Sequence, residues 1–272
     1  MKTLVLSIMA LLSVSTHAAD DESTLLDVGT GKVRLLLEKF RSAADQAKVL
    51  TRKDQLLTQH SGDLGMSVKP IMSPVRNQGA RGTCTAFAAV AMVEAFTGND
   101  FSEQCLVRQS SDTDGGHTEQ RLEHVRQNGL YAEADCPYDD TQRDKIPNLN
   151  SAGRTRFDGQ FEVVPFGQYD PLAFLKTRLA VKSPVAVAFY VAGKKQWSSG
   201  PFLYIPDAVT IAKECGFEQS CAGHAVVVTG MNDTLQLIEF KNSWGKGWGK
   251  DGYGYMSYDY FLTFGKGYLV SY

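Results

Sequence analysis

Cys84 is the residue in this chain best placed to do chemistry. It follows Thr83 and opens an apolar run, Cys84–Phe96, rich in Ala, Val and Met and closed by Gly98. That pattern predicts a helix with the cysteine in its first turn. A helix N-terminus carries about half a positive charge and several unpaired backbone N–H groups. Both favour a thiolate, the form in which cysteine acts as a nucleophile. The preceding glycine-broken stretch PVRNQGARGT (74–83) is expected to leave Cys84 exposed at the turn and to bring Gln78 beside it. The Gln78 amide and the Cys84 backbone N–H can then receive an oxyanion together. A helix cysteine on its own is more commonly part of a core, so the reading needs a partner. His224 opens the run HAVVVT (224–229) directly after Gly223, which would let its ring face a cleft with no side chain in front of it. Within KNSWG (241–245), Asn242 can hold the imidazole tautomer that faces a thiol, and Trp244 can shield that hydrogen bond from water. A lone histidine is more commonly a satisfied polar residue, and a Gly/Trp stretch a packed turn. Only their combination with Cys84 points to nucleophilic catalysis.

These residues need elements to hold them. The Cys84 helix is one, and a polar-faced helix over 118–127, closed by Gly129, is a second. The second half changes texture. PVAVAFYV (184–191), HAVVVT (224–229) and LQLIEF (235–240) are β-branched or aromatic runs bounded by Gly, Pro, Asn and Asp, and read as strands. Helices first and strands later predict an α+β protein of two lobes.

In order and separation these motifs resemble the papain family of cysteine peptidases. The resemblance is carried by QGxxGTC (78–84), SEQ (102–104), DGG (114–116), GHAV (223–226) and NSWGxGWGxxGY (242–253). His224 follows Cys84 by 140 residues and Asn242 by 158. It implies a two-lobed papain-like fold, with a helical left lobe, a β-barrel-like right lobe and the active-site cleft between them. It also implies roles: Cys84 attacks a peptide carbonyl, His224 shuttles the proton, Asn242 orients His224, and Gln78 completes the oxyanion hole. Gly115, Gly116, Trp244 and the Gly223 carbonyl would bind an extended substrate. His117, Thr118, Ala225 and Tyr258 would line the pocket for the side chain before the cleaved residue. The sequence departs from the family where CGSCW is usual and RGTCT stands here. Arg81 replaces a disulfide cysteine and Thr85 a large aromatic, so the bridge at that loop must be absent. With Cys84 free, Cys105, Cys136, Cys215 and Cys221 allow three pairings; Cys105–Cys136 and Cys215–Cys221 are favoured.

The rest of the chain sets the context. Its 272 residues suffice for one large domain or two packed lobes. A net charge of −2 gives no nucleic-acid footprint. Lys2, the apolar run Leu4–Val14 and the small residues Thr16 and Ala18 read as a secretory signal peptide over 1–18, too short to span a bilayer. Export, to the periplasm or outside the cell, implies an oxidising compartment in which cysteines pair. Residues 19–66 are polar and cysteine-free. Val33, Leu36, Leu37, Phe40, Ala44 and Ala47 recur there at helical spacing, which predicts an amphipathic helix. Its position suggests a propeptide that inhibits the peptidase domain of 67–272, divided into lobes at about 160/161. His124, mid-helix, is expected to be solvated. The expected partners are peptide or protein substrates and the chain's own propeptide, with no nucleic acid, membrane, metal or cofactor, and the protein is expected to be a monomer. Three rival readings fit the residues less well. A compact cell-wall hydrolase of the NlpC/P60 type lacks the long spacing and the NSWG segment. A catalytically inactive papain-like binding domain would not need every core residue intact. A metal site of Cys215, Cys221 and His224 lacks a fourth ligand.

Overall fold

The structure, a computed structural model, describes residues 65–215 and 221–272 and the backbone of three short N-terminal strands. Those strands are β1 (Leu25–Asp27), β2 (Lys32–Arg34) and β3 (Leu36–Glu38). The signal-peptide segment, its cleavage point and most of the expected propeptide lie outside the described residues. Where the amphipathic helix was expected to begin, β2 and β3 are extended instead. The cause is non-local. β3 pairs antiparallel with the strand at 221–223, and an open sheet edge offers hydrogen bonds that a helix must otherwise find within itself.

After β4 (Met66–Ser67) the chain enters three helices: α1 (Cys84–Thr97), α2 (Glu103–Ser110) and α3 (Thr118–Asn128). α1 is apolar on nearly every face and correspondingly buried from Cys84 to Glu94. Burial of Phe87, Met92 and Val93 contributes about 1.5–3 kcal/mol each before ordering costs. Gly98 ends it at φ +68°, a conformation favouring glycine, and donates its N–H to Glu94. α2 has the side chain of Ser102 as its cap, accepting from the Cys105 N–H at 2.9 Å.

The second half contains β5 (Glu162–Pro165), α4 (Pro171–Ala180), β6 (Val185–Val191), α5 (Lys194–Ser199), β7 (Phe202–Leu203) and α6 (Ala208–Cys215). Then come β8 (Cys221–Asn232), β9 (Leu237–Lys241), β10 (Tyr253–Ser257), α7 (Tyr258–Phe264) and β11 (Gly265–Ser271). The sheet runs β5-β11-β6-β8-β9-β10-β7, with β3 and β4 also on β8. The mixed α+β class is as expected, but the barrel-like lobe is an open sheet. β5 and β7 are its ends. β5 stops at Pro165, and two-residue β7 lies between Pro201 and Pro206; proline cannot donate to a further ladder.

α1 lies against β8 on one side and α3 on the other, and its core is shared with Ala186, Ala225, Val227 and Val270 of the sheet. A larger core under the sheet gathers Trp197, Phe240, Trp244, Trp248, Phe261 and Phe264. The N-terminus of α1 thus meets β8 where the two cores join. Among the described residues no helix is long and apolar enough to cross a membrane.

Candidate active site

Cys84 is the first residue of α1, and His224 lies near the start of β8. Thr83 holds the N-cap position without capping; its hydroxyl instead meets the Tyr138 hydroxyl at 2.8 Å. The Cys84 thiol lies under the backbone N–H groups of Ala225 and Thr85. Contrary to the expectation of exposure, Cys84 and His224 are both buried, because β8 packs directly over the helix start. Burial pushes the thiol up, against the weaker pull of those N–H groups. It pulls His224 down from 6.5 to about 4, against the raising effect of Asn242. The neutral thiol and neutral imidazole are the stable pair in this state.

The imidazole geometry is specific. His224 Nε2 lies 2.7 Å from Asn242 Oδ1. That oxygen also accepts from the Ser243 N–H at 2.8 Å, which identifies it as the amide oxygen. Nε2 therefore carries the proton, and Nδ1, buried and without a hydrogen-bond partner, presents a free lone pair. Trp244 lies across the ring at 4.5 Å between centroids, tilted by 32°, and Trp197 meets it edge-on at 5.5 Å. Both indoles are buried and flank the ring on which the Asn242–His224 bond is made.

Gln78 is buried. Its Nε2 donates to the Arg81 carbonyl at 2.7 Å, and its Oε1 accepts from the Ser243 hydroxyl at 2.6 Å. The Arg81 carbonyl takes one of its two amide N–H bonds and leaves the other for a further acceptor. The loop carrying it pairs with the segment after Asn242: Gln78 N–H to the Ser243 carbonyl at 2.8 Å, and Gly245 N–H to the Arg76 carbonyl at 2.9 Å. Gln78 and Asn242 are therefore tied together through Ser243.

Beside His224 is a cavity of about 70 Å³ lined by Gly116, His117, Thr118, Gly223 and Ala225, together with Thr85, Lys266 and Tyr268. Gly115 stands outside it, its carbonyl bound by Arg121 at 2.7 Å, and Trp244 lies against His224 instead. Tyr258 does not line the cavity. Its hydroxyl donates to Asp233 at 2.8 Å and its N–H to the Gln236 carbonyl, so it serves the β8–β9 turn. Lys266 and Tyr268 take its place because β11 returns beside β6. His124, expected to be solvated, is half-buried on α3, where burial lowers its pKa; it is not among the residues lining this cavity. Cys105 is joined to Cys136 and Cys215 to Cys221, leaving Cys84 free, so the sulfurs of Cys215 and Cys221 are not available as metal thiolates.

Four contributors escaped the sequence reading. Trp197 sits in the polar stretch KKQWSS, and Arg121 on the polar-looking α3; neither carries a local signal. Ser243 adjoins Asn242 and could have been suspected from that adjacency alone. Lys266 belongs to a strand that the turn residues Gly265 and Gly267 could have marked.

Residues 61–264 match the family model described as papain family cysteine protease. Papain from Carica papaya is 33% identical over 195 residues, covering 68% of this chain and 51% of that protein. Oryzain beta chain from Oryza sativa subsp. japonica is 32% identical over 253 residues, covering 84% and 51%. The chain spans about half the length of these curated relatives. Among solved structures, xylellain, a cysteine protease from Xylella fastidiosa, superposes with a TM-score of 0.58 at 21% identity, covering 88% of this chain and 97% of that one. Digestive procathepsin L 3 of Tenebrio molitor larval midgut gives 0.59 at 24%, covering 90% and 76%. At such identities these two likenesses concern the fold.

Proposed function

Since the chain belongs to the papain family of cysteine proteases, we propose that it is an exported cysteine peptidase made as a self-inhibited precursor, with Cys84, His224, Asn242 and Gln78 as its machinery. The observation that carries this reading is the imidazole held by Asn242 through Nε2, with its Nδ1 lone pair free, on the strand packed over a helix-start thiol.

The reaction follows from that arrangement. His224 Nδ1 takes the Cys84 proton, and the thiolate attacks the carbonyl carbon of a peptide bond. The oxyanion forms between the Cys84 backbone N–H and the remaining Gln78 N–H. As the intermediate collapses, the C–N bond breaks and the departing amine takes the proton from His224, leaving a thioester on Cys84. Water, deprotonated by His224, then attacks the thioester. The acid product leaves and the proton returns to the sulfur. Gly116 and the Gly223 carbonyl would align the substrate as an extended strand.

Two features support a latent precursor. Burial favours the neutral pair over the thiolate–imidazolium pair that attack requires. In addition, β3 pairs with 221–223, the backbone edge assigned here to substrate. Residues 19–66 would thus act as the propeptide. Export is supported by the apolar run after Lys2 and by two disulfides, which persist in oxidising compartments.

The test is to incubate purified full-length protein at mildly acidic pH while following mass, peptide hydrolysis and labelling by an epoxide probe. Activity should rise as the chain shortens, with the label on Cys84, and Cys84→Ser should be inert and unlabelled. Label on another cysteine, or hydrolysis by Cys84→Ser, overturns the catalytic assignment. Full activity before any shortening, with no inhibition by added residues 19–66, overturns the precursor assignment.

A further inference from the structure

Arg81 lies three residues before Cys84, in the loop that carries Gln78, and is buried. Its Nε and Nη2 grip the two carboxylate oxygens of Asp114 at 3.1 and 2.7 Å, the fork geometry that distinguishes arginine from lysine. Its Nη1 donates to Gln104 Oε1 at 2.6 Å on α2 and to the Asp139 carbonyl. The guanidinium sits 5.0 Å over the Tyr138 ring, and the Tyr138 hydroxyl donates to the Gln78 carbonyl at 2.9 Å. The main chain of Arg81 acts as well, since its carbonyl receives the Gln78 amide. One residue therefore orients the oxyanion donor at one end and binds Asp114, the neighbour of Gly115 and Gly116, at the other.

The glycine loop has a second support. Arg121, buried on α3, donates from Nη2 to the carbonyls of Asp114 at 3.1 Å and Gly115 at 2.7 Å. A Cβ at Gly116 would come within 3.2 Å of that same nitrogen. The loop is thus closed from below by Arg121 and tied sideways to the oxyanion loop by Arg81.

Building on the peptidase reading, we infer that Arg81 is a positioning residue: its ion pair with Asp114 ties the oxyanion loop to the substrate-binding glycine loop, where resemblance would have placed a disulfide. Unlike a disulfide, the tether holds without any sulfur in reach of the nucleophile. Its loss falls on the turnover step, because Gln78 acts only on the transition-state oxyanion. Substrate binding is largely spared, because Arg121 still holds the glycine carbonyls.

The test compares acid-treated full-length wild type with Arg81→Met, Arg81→Lys, Asp114→Asn and the Arg81→Met/Asp114→Asn pair, each normalised to the fraction of Cys84 titrated by an epoxide inhibitor. Arg81→Met should lower kcat by about 10- to 100-fold, the scale of a small misplacement at a reacting centre, while KM changes by less than about 3-fold. Arg81→Lys should recover part of the loss, and the double variant should be no slower than Arg81→Met, as coupled residues behave. A purely structural pair would lower the titratable fraction and Tm and leave kcat per titrated site untouched, which overturns the inference. Independent, multiplying losses overturn it too. If Arg81→Met does not fold, Asp114→Asn decides: a kcat within about 2-fold of wild type rejects the tether. A wild type that neither cleaves peptides nor takes the epoxide overturns the peptidase reading instead.

Discussion

His224 should make the folded chain lose stability as pH falls, through a route that can be isolated by one substitution. In the folded state burial holds its pKa at about 4, against an ordinary value of 6.5. The unfolded chain therefore takes up a proton first, and the folded state is destabilised as pH falls from about 6.5 towards about 4. Above that window the neutral imidazole costs nothing extra, and below it the loss is complete. At pH 5 nearly every unfolded molecule carries the proton and only about a tenth of the folded ones do. The difference in proton binding is worth about 2 kcal/mol relative to pH 7. His224→Gln removes the titration while leaving an amide that can reach Asn242. Urea unfolding of the full-length chain at pH 7 and pH 5, in a Cys84→Ser background that cannot cleave itself, with His224 kept or replaced by Gln, gives the comparison. The chain that keeps His224 should lose about 2 kcal/mol more than the His224→Gln chain between the two pH values. Equal losses would mean that His224 is not held neutral, and would remove the physical basis for a site silenced by burial.

Gln78→Ala should lower kcat by roughly 10²–10³ with little change in KM, the effect of removing one oxyanion donor; steady-state kinetics on the activated protein measures it, and an unimpaired variant refutes the assignment. Gly116→Ala should raise KM more than it lowers kcat, because its Cβ would press on Arg121 at 3.2 Å and its φ of +149° is strained for an L side chain; an unchanged KM in peptide titrations contradicts the substrate role. Removing the Cys105–Cys136 bridge, whose ends are 31 residues apart, should cost about 3–4 kcal/mol, and removing Cys215–Cys221, whose ends are 6 apart, only about 2, by the loop-closure scale. Denaturant midpoints of the two Cys→Ser pairs give the ranking, and the reverse order would argue against it.

What could be read from the residues was what the chain specifies locally. An apolar run between Thr83 and Gly98 can hardly be other than a buried helix, and its bounds fall within one residue of the observed α1. The strand at 224–229 was seen from its β-branched residues, but β8 begins at Cys221, because pairing with β6 and β3 extends it beyond the apolar stretch. Similarly, Val33–Phe40 has a helix's spacing, yet a vacant sheet edge outweighs that periodicity at 36–38. The burial of Cys84 was invisible for the same reason: what covers it comes from β8, 140 residues later. The sequence marks Arg81 only as standing where the family has a cysteine. Its purpose lies in Asp114, Gln104 and Tyr138, which no window around residue 81 contains.

On the proposed reading, silence and activity use the same strand edge. β8 is covered by β9 only from Val227 onward, so residues 221–223 would present unpaired N–H and carbonyl groups if β3 were absent. Such an edge attracts any extended segment. A precursor that left it open would bind, and then cut, the peptides around it. Filling it with β3 satisfies those groups, and the surrounding burial keeps His224 neutral, so occupancy of the edge and lack of the catalytic ion pair go together. Protonation acts on the second of these directly: a charged His224 is stable only when hydrated or paired with the Cys84 thiolate. Acid would therefore open the site through the residue that catalysis then uses as its base.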